Sequence, residues 1–154
     1  ELRRAGVLPP TMQFKVSVLL GAANAAAVRL VVGLGADSYN VPTDLTLGQL
    51  AALRAAVDVP LDVYVEGPDE VGGFVRYYEI ADLVRVCAPV YLKFGVRNAP
   101  ALYPSGGHLE GVAVALGRER VRRAAIGLEL LERYYPAAVG SARGAAGLAL
   151  PVVQ

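Results

Sequence analysis

A single cysteine in 154 residues excludes an internal disulfide and any cysteine-built metal site. Cys87 falls at the apolar end of a helical stretch and reads as a plain buried thiol. One such thiol also fits a reducing, cytoplasmic setting. A single histidine, His108, excludes a multi-histidine metal centre within this chain. Neither sign of charge dominates: 15 Lys and Arg stand against 14 Asp and Glu, a net of +1. No global field therefore favours nucleic acid or an acidic membrane. Long unbroken apolar runs are also missing. Val16–Ala36 comes nearest, but Asn24 and Arg29 interrupt it, and Gly21 and Gly33 stand where turns are expected. A strand followed by an amphipathic helix explains it better than a membrane span. No signal peptide is visible, and the opening Glu1-Leu2-Arg3-Arg4 reads as the end of an earlier helix, so a fragment of a longer polypeptide is expected. Apolar residues, by contrast, make up 55% of the chain, which excludes disorder and supplies one domain with a core.

Four runs carry a strand signature: Phe14–Leu20, Asp37–Val41, Leu61–Glu66 and Val90–Phe94. In each, one alternating set of side chains is apolar and the other mostly polar. Leu61, Val63 and Val65 alternate with Asp62, Tyr64 and Glu66. Val90, Leu92 and Phe94 alternate with Tyr91 and Lys93. Each run is followed by a segment of helical period, and successive runs begin roughly 23 to 29 residues apart, the length of one βα unit. Parallel strands covered by helices on both faces are apolar throughout. A polar second face predicts strands curled into a barrel, with helices outside and a polar lumen. The expected fold is therefore α/β and TIM-barrel-like, a half barrel or a piece of a larger one. Residues 1–135 would form the domain, and 136–154 a Gly/Ala-rich tail or linker. Further units outside this chain, or a second copy, could close the barrel. An open flavodoxin-type sheet is disfavoured by the polar strand face and by the lack of a Gly-rich turn after the first strand.

The helices are expected near Ala22–Val32, from Thr46 through Val57, near Phe74–Val86 and near Leu109–Tyr135, the last with a bend at Gly117. Thr46 and Gln49 have capping-box spacing. Residues 1–10 read as a helix remnant stopped by Pro9-Pro10. Arg118, Arg120, Arg122 and Arg123 read as a solvated helix face, with Glu119–Arg123 at i,i+4.

In such a barrel, chemistry gathers at the C-terminal ends of the strands. Lys93 stands there, where a lysine deprotonated by burial can form a Schiff base. Glu66 ends the neighbouring strand on the same expected face. A Glu66–Lys93 pair would bind a polar substrate, share proton transfer, or plug the lumen as a structural ion pair. Lys15 and Asp62 lie deeper and read as structural, and Tyr64 and Tyr91 as lumen filling. The long loop Gly95–His108 is the expected lid or binding loop. It contains Arg97, Asn98 and Ser105, which with Asn40 are the candidate substrate-binding residues. His108 is a candidate general acid or base beside Glu66 and Lys93. Ser105-Gly106-Gly107 runs into a helix start, where amides could hold an anion or serve only as a turn. Glu66 and Asn40 form a candidate Mg²⁺ pair, but neither a metal nor another cofactor is expected.

The stretch Pro60–Glu110 is similar to barrel proteins classed as U32-type peptidases. The similarity rests on Val90-Tyr-Leu-Lys-Phe-Gly-Val-Arg-Asn98 and Tyr103-Pro-Ser-Gly-Gly-His-Leu-Glu110. Ala25–Val41 resembles the repeated unit of many TIM barrels. This resemblance implies a barrel fold and a peptidase or peptide-binding activity. Some members carry a four-cysteine iron–sulfur site, which a chain with Cys87 alone does not supply. Lys93 in Tyr-Leu-Lys-Phe also resembles the lysine of class I aldolases, which implies lyase chemistry. The leading expectation is an enzyme-like barrel acting on a small polar or anionic molecule. A U32-like hydrolase or peptide binder, and a non-catalytic barrel segment serving assembly as a homo-oligomer, stand beside it.

Overall fold

The computed structural model describes residues 2–102 and 106–141. Its frame is a four-stranded, all-parallel sheet with the strands in chain order. The elements are β1 (Lys15–Val16), α1 (Ala25–Gly33), β2 (Ser38–Asn40), α2 (Leu47–Arg54), β3 (Leu61–Glu66), α3 (Ile80–Cys87), β4 (Val90–Phe94) and α4 (Glu110–Tyr134). The chain is thus α/β, built of repeated βα units. A flavodoxin-type sheet reverses its strand order, and no reversal occurs among the described strands.

Right-handed crossovers between strands taken in order all fall on one face of a sheet. Consistent with that rule, α1 packs on α2, α2 on α3 and α3 on α4. The core lies between this helical layer and the sheet. Tyr39, Leu61, Val63 and Val65 meet Val28, Leu50, Leu53, Ile80, Leu83 and Cys87 there. Burying each large aliphatic side chain contributes about 1.5–3 kcal/mol. By strand alternation, Asp62, Tyr64, Tyr91 and Lys93 point to the opposite face.

Local chemistry sets the boundaries. The run expected as a strand over Phe14–Leu20 stops after Val16. Ser17 caps a 3₁₀ turn at Val18–Leu20, its Oγ accepting from the Leu19 amide at 3.2 Å. Gly21, at φ 66°, closes that turn in the left-handed region. α1 starts later than expected because Asn24 caps it, Oδ1 accepting from the Ala27 amide at 3.0 Å. Thr46 and Gln49 form the expected capping box on α2, which ends at Arg54, short of Val57. The third helix also begins later than expected. The 74–76 backbone folds back along the end of β3, with Gly67 N–H donating to Phe74 O (2.9 Å) and Arg76 N–H to Val65 O (2.7 Å). A 3₁₀ turn at Tyr77–Glu79 then leads into α3. α4 is helical without interruption through Gly117. Residues 2–10 form turns rather than a helix, anchored where Arg3 pairs with Asp37 at 2.6 Å. No described helix is long and apolar enough to cross a membrane.

Candidate functional site

The sheet face away from the helices carries a connected polar cluster. Asn40 on β2 stands opposite Asp62 on β3, and Tyr64 opposite Lys93 on β4. The hydrogen-bond network fixes the Asn40 amide. Its nitrogen donates to the Asp62 carbonyl at 3.2 Å and its oxygen accepts from Lys93 Nζ at 2.8 Å. Lys93 Nζ also lies 4.4 Å from the centre of the Tyr64 ring, a cation–π contact. Lys15 Nζ sits 2.7 Å from Asp62 Oδ2 and 4.7 Å from the centre of the Tyr91 ring. The Asp62 carboxylate is fully buried (0% exposed). Lys15 Nζ pairs with its Oδ2, and Oδ1 has no hydrogen-bond partner among the described residues. A carboxylate this far from water ordinarily has donors on its oxygens.

Glu66 does not join this cluster. The register between β3 and β4 shifts at a bulge between Tyr64 and Glu66, which sets Glu66 opposite Phe94 instead of continuing the Lys93 face. Glu66 is buried and takes three donors: Tyr77 Oη at 2.9 Å, the Arg97 amide at 3.2 Å, and Arg123 from α4. Burial alone would raise its pKa, but the Arg123, Tyr77 and Arg97 hydrogen bonds overcome that, and the carboxyl titrates below its ordinary value. The Tyr77 phenol is pushed up to about 12, by burial first and then by the adjacent Glu66. Arg123 also donates to Glu119 at 2.8 Å. It therefore closes a helix-to-sheet latch and does not belong to a purely solvated face. Glu66 is held by Arg123, Tyr77 and the Arg97 amide, whereas Asn40 is held by Asp62 and Lys93.

The loop after β4 is pinned at its start. Asp69, in the β3–α3 connection, accepts from Arg97 Nε at 2.9 Å and from the Asn98 amide at 3.0 Å. Asn98 adopts φ 55°. The Arg97 amide thus reaches Glu66, while the Asn98 amide is held by Asp69. His108 is exposed in the 3₁₀ turn Gly107–Leu109 that leads into α4. Ser105 lies outside the described residues. Among the candidate residues, the structure brings Lys93 together with Asn40, and Glu66 together with the Arg97 backbone.

A separate cleft opens at the C-terminal ends of the strands. It has a volume of about 320 Å³ and is walled by Val18 and Leu19 after β1, Pro42 and Asp44 after β2, and Val71 and Phe74 after β3. Sequence reasoning missed this cleft, because three connections distant in the chain build it and none carries a motif. Among the described residues no group of three or more His, Cys, Asp or Glu side chains could hold a metal ion. Comparison with protein-family models, with curated proteins and with solved structures finds no match.

Proposed function

We propose that the chain is a half barrel, or a segment of a larger one, whose polar sheet face binds a small polar or anionic molecule. The observation that carries this reading is the Lys15–Asp62–Asn40–Lys93 cluster. Lys15 pairs with the buried Asp62 carboxylate and Lys93 with the Asn40 amide, on the sheet face opposite the helix-packed core. The excess positive charge and the two phenols, Tyr64 and Tyr91, suit a carboxylate or phosphate with hydroxyl groups. Lys93 would bind the anion, and Asn40 would hold the lysine in place. Acid–base or lyase chemistry at Lys93 would be a further step built on that binding.

A thermal-shift and calorimetric screen with small carboxylates and sugar phosphates tests the reading. One anion class should stabilise the wild type, by about 2.7 kcal/mol at a hundredfold excess over Kd. The shift should disappear in Lys93→Ala and weaken as salt rises. Equal stabilisation of wild type and Lys93→Ala, or none by any anion, rejects it.

A second reading, a barrel segment that serves assembly, is favoured by one observation. Among the described residues, β1 and β4 each have one neighbouring strand and so leave open strand edges. A second copy placing its β1 beside β4 would continue the parallel sheet, and closure of the two sheets into a barrel would enclose the polar face. Light scattering at micromolar concentration tests this, and a monomer overturns it. The peptidase reading rests on the resemblance in Pro60–Glu110. Hydrolysis of a peptide library, lost on substitution at Lys93 or His108, would support it, and no cleavage would reject it.

A further inference from the structure

The cleft at the strand ends is distinct from the Lys93 cluster in both lining and charge. Its walls are apolar, from Leu19, Pro42, Val71 and Phe74, and its only charged lining residues are Asp44 and Glu70. Both acids are exposed, and among the described residues neither has a hydrogen-bonding or ion-pair partner. Other carboxylates nearby are engaged: Asp69 holds Arg97, and Glu66 holds Arg123. Leu19 is 81% exposed and Phe74 is 41% exposed. Large apolar side chains left in water around a concave surface mark a place where something binds.

The walls are also fixed before any ligand arrives. Thr43 Oγ1 donates to the Val71 carbonyl at 2.6 Å, tying the β2–α2 connection to the β3–α3 connection. Gly72, at φ 101°, lies so close to Thr43 that a Cβ there would be 3.0 Å from Oγ1. On the third side, the Tyr39 hydroxyl donates to the Ala22 carbonyl and anchors the chain that follows β1. A preformed cleft spares a ligand the cost of ordering loops. Its volume of about 320 Å³ is at the small end of ligand pockets.

We propose that this cleft is a second binding site, for a small organic cation that carries an ammonium or guanidinium group on an apolar body. The apolar body would lie against Leu19, Val71 and Phe74, and the cation would face Asp44 and Glu70. The site does not depend on the anion-binding reading of the sheet face, since it shares no residue with the Lys93 cluster.

The test is calorimetric titration of the intact chain with phenethylamine, its neutral isostere 2-phenylethanol, and methylammonium. Phenethylamine should bind, and both the alcohol and methylammonium should bind at least about tenfold more weakly, a difference of about 1.4 kcal/mol. Asp44→Asn/Glu70→Gln should lose phenethylamine binding by a similar factor while retaining its unfolding midpoint, because both side chains are exposed and unpartnered. Lys93→Ala should bind phenethylamine as the wild type does. Equal affinity for amine and alcohol, unchanged binding in the double variant, or no binding of phenethylamine to the wild type would each overturn the proposal.

Discussion

Replacing Glu66 with Gln keeps the side-chain volume and removes one buried charge. The magnitude follows from its partners. Breaking a buried ion pair by removing one member costs about 3–5 kcal/mol, and a single hydrogen bond to a charged group contributes about 1.5–3 kcal/mol. Arg123 retains Glu119 when Glu66 is lost, and its side chain is 26% exposed. The cost should therefore fall near about 2–3 kcal/mol, below the full penalty for stranding a buried cation. For a chain of this size that lowers Tm by about 4–12 °C. The assay is urea unfolding followed by far-UV circular dichroism, run as two double-mutant cycles. Glu66→Gln with Arg123→Met should show a coupling of about 1–2 kcal/mol, and Glu66→Gln with Lys93→Met close to zero. The pH dependence has a fixed sign. The folded-state pKa of Glu66 lies below its ordinary value of 4.5. Its contribution is thus fully present above that value and disappears as pH falls through the folded pKa. The gap between wild type and Glu66→Gln should close in acid. Stronger coupling to Lys93 than to Arg123, or a gap that stays constant below pH 4, would refute the latch.

Gly127 in α4 faces the Phe94 ring so closely that a Cβ would sit 2.5 Å from Cε1. Gly127→Ala gains about 1 kcal/mol of helix propensity but incurs an overpacking cost of about 1–3 kcal/mol, so a net loss of about 1 kcal/mol is expected in urea unfolding. Gly117→Ala, with nothing within 4 Å of the new Cβ, should instead stabilise by up to about 1 kcal/mol in the same assay. The Cys87 thiol is fully buried and pushed up to about 11 by that burial. It should resist a disulfide reagent at pH 8 in the folded protein and react promptly in urea; fast native reaction would place it at the surface. Thr46→Ala removes the capping box of α2 and should cost about 1 kcal/mol, measured by the unfolding midpoint.

Much of the fold was legible because it rests on local rules. The period of two over Leu61–Glu66 and Val90–Phe94 marks β3 and β4 at their observed bounds. Thr46 and Gln49 announce the start of α2. β1 was overextended for a physical reason. Val18 and Leu20 continue the apolar alternation, but the Ser17 hydroxyl offers the backbone a competing hydrogen bond that turns it into a 3₁₀ turn. The late start of α3 is likewise invisible to periodicity, since the 74–76 segment spends its backbone groups on β3.

The site was legible only as far as strand parity holds. Parity brings Lys93 and Asn40 to one face, and there they share a hydrogen bond. It fails at Glu66, because a bulge adds one residue and no composition cue marks it. Arg123, the true partner, is 57 residues away and sits in an arginine-rich helix that looks uniformly solvated. The same limit bears on Asp62. Alternation assigns it to the polar face, but nothing local indicates that its carboxylate would be wholly covered. Its partner, the half-exposed Lys15, comes from β1, 47 residues earlier, and stands 2.7 Å from Oδ2. Burial of Asp62 and its pairing with Lys15 are thus products of packing between strands, which parity along one strand does not report.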